Sequence, residues 1–248
     1  MVADLAKLAG REPPRPKIKR VYKTVTVGEA AGVFRVLLDG KPVLTPLRKP
    51  ISTAHRALAD ALAAEWDAQD PNIDPEAMPL TRLVSTALDR VTPQRDVLIG
   101  ELMDYVDADL LCYRAAYPAD LKARQHVVWQ PVLDWLNATH GIGFTTAEGL
   151  LPHSQPDATA VALRKAISAL DDEHLNALQA SAAITNSLAL SLAIVHRHIS
   201  AAETFAAAAL DETYQMEKWG EDELALTRRR HIAADLNAIG RYLDLVKA

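Results

Sequence analysis

A single cysteine, Cys112, stands among 248 residues, so no intramolecular disulfide can form and no zinc or iron–sulfur site built on several thiolates is available. Aromatic residues are scarce, at 5%. Alanine is plentiful instead, which points to a core of helices packed closely through small side chains. There is no excess of basic charge, because 27 Lys and Arg face 32 Asp and Glu for a net charge of −5. That balance argues against a nucleic-acid binder driven by net phosphate attraction. Residues 1–10 contain Asp4 and lack a long apolar stretch, so no secretory signal is expected. The apolar run from Leu178 to Val195 is interrupted by Gln179, Ser181, Thr185, Asn186, Ser187 and Ser191. It suits a helix buried in a bundle better than a membrane span, and a soluble protein is expected.

Several signatures of chemistry are missing as well. No G-x-x-x-x-G-K-[ST] loop offers a phosphate cradle, no G-x-G-x-x-G follows a strand, and no G-x-S-x-G turn presents a nucleophilic serine. H-E-x-x-H is absent, and no Glu is followed three residues later by His, as the di-iron bundles require. His196 and His198 lie two positions apart, which on a continuing helix turns them to opposite faces, so joint metal ligation is not expected and helix-end histidines are the plainer reading. Cys112 sits among apolar neighbours and reads as a core residue.

What is present suggests an α+β chain. A Pro- and Arg-rich stretch, Arg11 to Pro16, makes residues 1–19 a mobile arm. Val21–Val27 alternates in period two, Val33–Leu38 is apolar and β-branched, and Asp39-Gly40 is a hairpin turn into Lys41–Thr45, where Pro42 restricts the third run to an edge. Ser52 or Thr53 can cap a helix carrying Leu58, Leu62 and Trp66 and ending near Gln69, and Pro79 can open another. Thr92-Pro93 reads as a helix start and sets the boundary between an N-terminal α+β domain, residues 20–92, and an all-helical C-terminal domain, residues 93–248. Helices are expected over Pro93–Tyr105, Ala119–Thr139 with a kink at Pro131, Asp157–Leu170, His174–His196, Ala201–Lys218 and Glu221–Val246, and Gly141–Thr146 could add a short strand.

Four segments carry more chemistry than a plain bundle needs. In Ala63–Gln69, Trp66 shares the apolar face of Leu62 and reads first as a core anchor. Met78–Leu83 starts a helix. Asp107–Arg114 combines acids with an arginine, for which an internal Asp–Arg bridge is the simplest account. The segment from Glu212 to Glu223 ends in Trp219-Gly220-Glu221-Asp222-Glu223. Gly220 can end a helix in a left-handed conformation, and the three acids then favour the next helix's N-terminus. A tryptophan beside acids is also a plausible partner hot spot, an aromatic anchor with charges that steer a basic surface. An enzyme reading would bring Asp104, Asp107 and Asp109 together with His126, and a third reading is an interaction module with some other client.

Taken in order and spacing, Arg20-Val21-Tyr22-Lys23, Leu38-Asp39-Gly40-Lys41, Glu65-Trp66, Met78-Pro79-Leu80-Thr81, Asp109-Leu110-Leu111-Cys112-Tyr113-Arg114 and Trp219–Glu223 resemble the ATP synthase assembly chaperones of mitochondria and alphaproteobacteria, the Atp-twelve family. The resemblance runs from Val21 to about Leu243. It implies a non-catalytic protein without cofactors that holds the unassembled alpha subunit of the F-type ATP synthase until the beta subunit replaces it. The short arm with Asp4 and Glu12 does not look like a mitochondrial transit peptide, so a bacterial cytoplasmic location is expected, or the mitochondrial matrix for a eukaryotic source. Partner contacts are expected at Glu212, Trp219, Glu221, Asp222, Glu223 and Trp66, with the client surface in a concavity between the two domains.

Overall fold

The computed structural model describes residues 18–149 and 151–247. Most of the expected arm, residues 1–17, lies outside them. Ile18–Lys19 is not arm but strand β1, paired antiparallel with Asn72–Ile73, which is β6 in chain order.

The hairpin forms where alternation and turn chemistry agree. β2, Val25–Ala30, pairs in register with β3, Val33–Leu38, from Val25 opposite Leu38 to Ala30 opposite Val33. Asp39 and Gly40 both have positive φ, 47° and 79°, as a tight turn into β4, Lys41–Pro42, requires. Pro42 is on an edge, as expected. The first strand starts four residues later than its alternation suggests. Residues 20–24 are held by other bonds: Asp39 accepts from the backbone of Lys23 and Thr24 and from the Thr24 hydroxyl, while the Tyr22 hydroxyl donates to the Trp66 carbonyl at 2.6 Å.

Ser52 and Thr53 do not cap a helix. They form β5, paired with Phe34 and Arg35 at the other end of β3, and helix α1, Arg56–Asp67, begins after His55 without a side-chain cap. α1 lays Leu58, Ala59 and Leu62 on the core side.

α2, Pro79–Thr86, opens as expected at Pro79, and its N-terminus is closed by the buried Glu65 of α1. That carboxylate accepts from Leu80 N, Thr81 N and Thr81 Oγ1, each at 2.8 Å. Thr92 is not a cap either. Its φ and ψ are −57° and −47°, and the chain runs from α2 through a wide π-helical turn and a tight turn into α3, Arg95–Met103. Pro93 can neither donate a helical hydrogen bond nor tolerate a carbonyl close behind its ring; the helix widens before it and then breaks at Gln94, φ −129° and ψ 29°, so that α3 starts two residues after Pro93.

After β7, Tyr113–Arg114, comes α4, Ala119–His140, with Pro131 inside it and Gly141 closing it at φ 67°. The extra strand is β8, Ala147–Glu148, parallel to β7 and just beyond the expected Gly141–Thr146. α5, Asp157–Ser168, follows. The long helix expected over His174–His196 is two helices, α6, Asp172–Thr185, and α7, Leu188–Val195, separated by Asn186 at φ 52° and by Ser187, whose hydroxyl caps α7. Ala201–Lys218 is likewise divided at Ala209 into α8, Ala201–Ala208, and α9, Leu210–Trp219. The last helix is α10, Glu223–Leu245.

Every residue of α7 is buried, so α7 is the centre about which the other helices pack. Small side chains make this possible: Ala177, Ala182, Ala189 and Ala193 lie in the core, and Gly240 of α10 brings its backbone so close to Ala201 that an added Cβ would stand 3.2 Å from that methyl. One apolar cluster extends from Val36 of the hairpin to Val246. Among the described residues no helix is long and apolar enough to cross a membrane.

Glu65→Ala leaves two backbone donors and a hydroxyl of α2 buried without an acceptor. It is expected to lower stability by about 2–4 kcal/mol in urea denaturation, against under about 0.5 kcal/mol for a change at an exposed position of the same helix such as Asp60→Ala.

Candidate docking surface

The segment from Glu212 to Glu223 forms the corner between α9 and α10. Gly220 ends α9 by donating from its backbone to Met216 O at 2.9 Å, but at φ 94° and ψ 172° it is an extended mirror-image residue and not a left-handed helical one. The three acids divide. Asp222 is the N-cap of α10 and accepts from Ala225 N at 3.0 Å, Glu223 is the first helical residue, and Glu221 lies outside the helix. Trp219 is 77% exposed and Leu224 81%.

Glu212 is not free at this corner. Its carboxylate takes Arg228 at 3.0 Å and Arg229 at 3.1 Å, and Arg229 also donates to Thr213 Oγ1, so Glu212 fastens α9 to α10. Trp66 belongs to the N-terminal layer. It is half-buried against the core and edge-to-face on Tyr22, with ring centroids 6.0 Å apart.

Beside the corner lies a groove that sequence reading missed, with a volume of about 540 Å³. Its walls are Val127 and Val128 of α4, Phe205 of α8, and Leu210 of α9. Arg124 and Arg229 stand at its rim. Arg124 pairs with Glu217 at 2.6 Å, and Arg229 lies 5.2 Å from the centre of the Phe205 ring. Val127 is 71% exposed. The sequence offered only a weak signal, the adjacent apolar pair Val127-Val128, because neighbouring residues about 100° apart on a helix can both be buried, as Val132 and Leu133 of the same helix are. Next to the groove, the Tyr214 hydroxyl donates to Asp120 at 2.8 Å. That bond and Lys218 hold the Asp120 carboxyl below its ordinary range.

The residues of the enzyme reading do not converge. Asp109 is buried and accepts from Ser187 Oγ, Leu111 N and Ala189 N; Asp107 accepts from Gln155 N; Asp104 lines a separate cleft beside Arg90 and Glu101. His126 faces a cleft with Arg114 and Lys122. The expected Asp–Arg bridge within 107–114 is also not made: among the described residues Arg114 has no carboxylate partner. Burial pushes the Cys112 thiol far up, as expected of a core cysteine. Because α7 ends at Val195, His196 and His198 do come near one ring. His198 stacks on Trp135 with centroids 4.2 Å apart, and His196 lies 4.6 Å from His140, where burial lowers its pKa.

Comparison with known proteins places this architecture. A family model described as ATP12 chaperone protein matches residues 19–137. The solved structure of Atp12 from Paracoccus denitrificans superposes with a TM-score of 0.86 at 34% identity, covering 93% of this chain and 99% of that one. A solved structure from Agrobacterium tumefaciens gives 0.88 at 38% identity, covering 97% and 93%. Mitochondrial atp12 of Schizosaccharomyces pombe is 25% identical over 222 residues, 85% of this chain and 76% of that protein.

Capping and contact can be separated at the corner. Asp222→Ala is expected to cost about 1 kcal/mol in thermal or urea unfolding through loss of the α10 cap. Glu221→Lys, outside the helix, is expected to change stability by less than about 0.5 kcal/mol.

Proposed function

The chain belongs to the ATP12 chaperone family, whose members are chaperones of ATP synthase assembly and not enzymes, and from this premise we propose that it holds the unassembled alpha subunit of the F-type ATP synthase and masks its inter-subunit surface until the beta subunit replaces it. The observation that carries the proposal is the apolar groove between α4 and α8–α9, with exposed Trp219 at the end of its α9 wall and exposed Leu224 across the corner. Apolar surface left open on a folded domain marks an interaction site.

The client has the complementary problem. A subunit destined to be enclosed by neighbours exposes apolar surface while it waits, and that surface aggregates. A chaperone covering a standard interface of about 1,600 Å² can shield it and still be displaced by a partner that buries more. Release then requires only competition. In this arrangement Val127, Phe205 and Trp219 supply the apolar contact, while Glu221 and Glu223 project into solvent beside Trp219 and steer a basic client surface. Glu212 and Asp222 contribute by keeping the corner rigid.

Co-expression with the alpha subunit followed by gel filtration tests this reading. A soluble complex is expected, lost on adding beta subunit. Val127→Asp and Trp219→Ala, both at exposed positions, should each weaken the complex about tenfold or more while leaving the thermal melt of the free chaperone unchanged. Alpha subunit that stays aggregated, with this chain eluting alone, would overturn the reading.

A further inference from the structure

Arg114 is only 8% exposed, yet among the described residues no carboxylate answers its charge. A buried cation is costly unless it is paired. Its guanidinium lies 5.2 Å from the centre of the Trp129 ring, donates from Nη1 to the Gln125 carbonyl at 2.9 Å, and reaches Gln130 Oε1 only at 3.4 Å. All three partners are neutral. The Nε–H is buried and has no acceptor among the described residues. Burial lowers the pKa of this arginine. The candidate counter-ions are engaged elsewhere: Asp109 caps α7, Asp107 accepts from Gln155, and Glu148 is paired with Lys122.

Arg114 opens onto a cleft of about 460 Å³ between β7–β8 and the first turns of α4. Ala119, Lys122, His126 and Gln130 follow one another on the α4 face that lines it, and Thr146 and Glu148 close the other side. α4 starts after Pro118 with no side-chain cap, so the positive end of a helix of 22 residues adds to the field there. The one acid of that first turn, Asp120, accepts from Tyr214, Lys218 and its neighbour Leu121 N and offsets part of that field, so the Arg114 guanidinium is the main positive group of the cleft.

We propose that this cleft is an oxyanion site, in which a phosphate or carboxylate group is held by the Arg114 guanidinium, with Lys122, His126 and the start of α4 around it. A planar guanidinium with a free N–H is the side chain best matched to such a group. Glu148 then has a defined part. By pairing with Lys122 it reduces the positive charge of the rim and limits affinity.

The test follows the Arg114 Nε–H resonance in ¹H–¹⁵N spectra of the full chain. Inorganic phosphate and, separately, acetate are titrated against chloride at matched ionic strength. A saturable shift is expected with at least one of the two. Stronger binding of phosphate assigns a phosphoryl ligand, and stronger binding of acetate assigns a carboxylate such as an acidic side chain. Lys122→Ala should weaken binding about tenfold and Glu148→Gln should tighten it severalfold. Both positions are about half exposed, so the variants should fold normally. The proposal is overturned by a resonance that responds to both anions only as it does to chloride, or by affinities that are the same in the parent and in both variants.

Discussion

A helix buried on every side must find acceptors for its first backbone donors inside the protein, because water cannot reach them. α7 is such a helix, and Asp109 meets the need from a segment 78 residues away in sequence, taking the Ser187 hydroxyl and the Ala189 amide in the same carboxylate that also accepts from Leu111. Ser187 in turn caps α7 through Leu190 N. The central helix and the turn that leads to β7 are thereby fixed to one another. Glu65 repeats the device at α2, where it joins α1 and the hairpin layer to the helices that follow. Burying either carboxylate would be unfavourable alone; surrounded by N–H and O–H donors, it sets the register between distant segments.

This accounts for which residues carry the family likeness. Glu65-Trp66 meets Met78-Pro79-Leu80-Thr81 as a cap meets its helix. Asp39 holds Lys23 and Thr24, and Tyr22 closes onto the Trp66 carbonyl. Asp109 opens the stretch that runs to Arg114. These motifs are the joints of the scaffold. The groove, by contrast, is lined by residues such as Val127 and Phe205 that lie in none of them, so recognising the family from its motifs identifies how the chain is held together before it identifies where a partner sits.

The same division decides what the sequence could disclose. Signals complete within a few residues were legible: the Asp39-Gly40 turn, Pro79 at a helix start, the span of α4 with Gly141 after it, and the buried character of Leu178–Val195. The break at Asn186-Ser187 was hidden because a left-handed residue and a hydroxyl cap, each weak alone, interrupt an otherwise continuous apolar pattern. Thr92-Pro93 marked a helix start to within two residues, but not its cap: Thr92 is itself helical, and α3 begins at Arg95 after Gln94 leaves the helical region. At the candidate site the exposure of Trp219 was inferable. The engagement of Glu212 by Arg228 and Arg229 was not, because it depends on how α10 folds back after Gly220.

That fold-back also sets charged side chains along the edges of the apolar groove. The groove is not a flat greasy face: Arg124–Glu217 and Arg229–Glu212 stand along its edges. Partly exposed ion pairs of this kind add little to stability. Their effect is on the choice of partner, since an apolar surface that met the groove without complementary charge would have to desolvate them unpaired. On the proposed reading the same charges also restrain affinity for the client, since a rim pair that is buried offsets part of the apolar gain. For the holding role proposed above, such moderation would suit a contact that has to be released, and it follows from placing apolar surface between charged helices instead of on an open sheet.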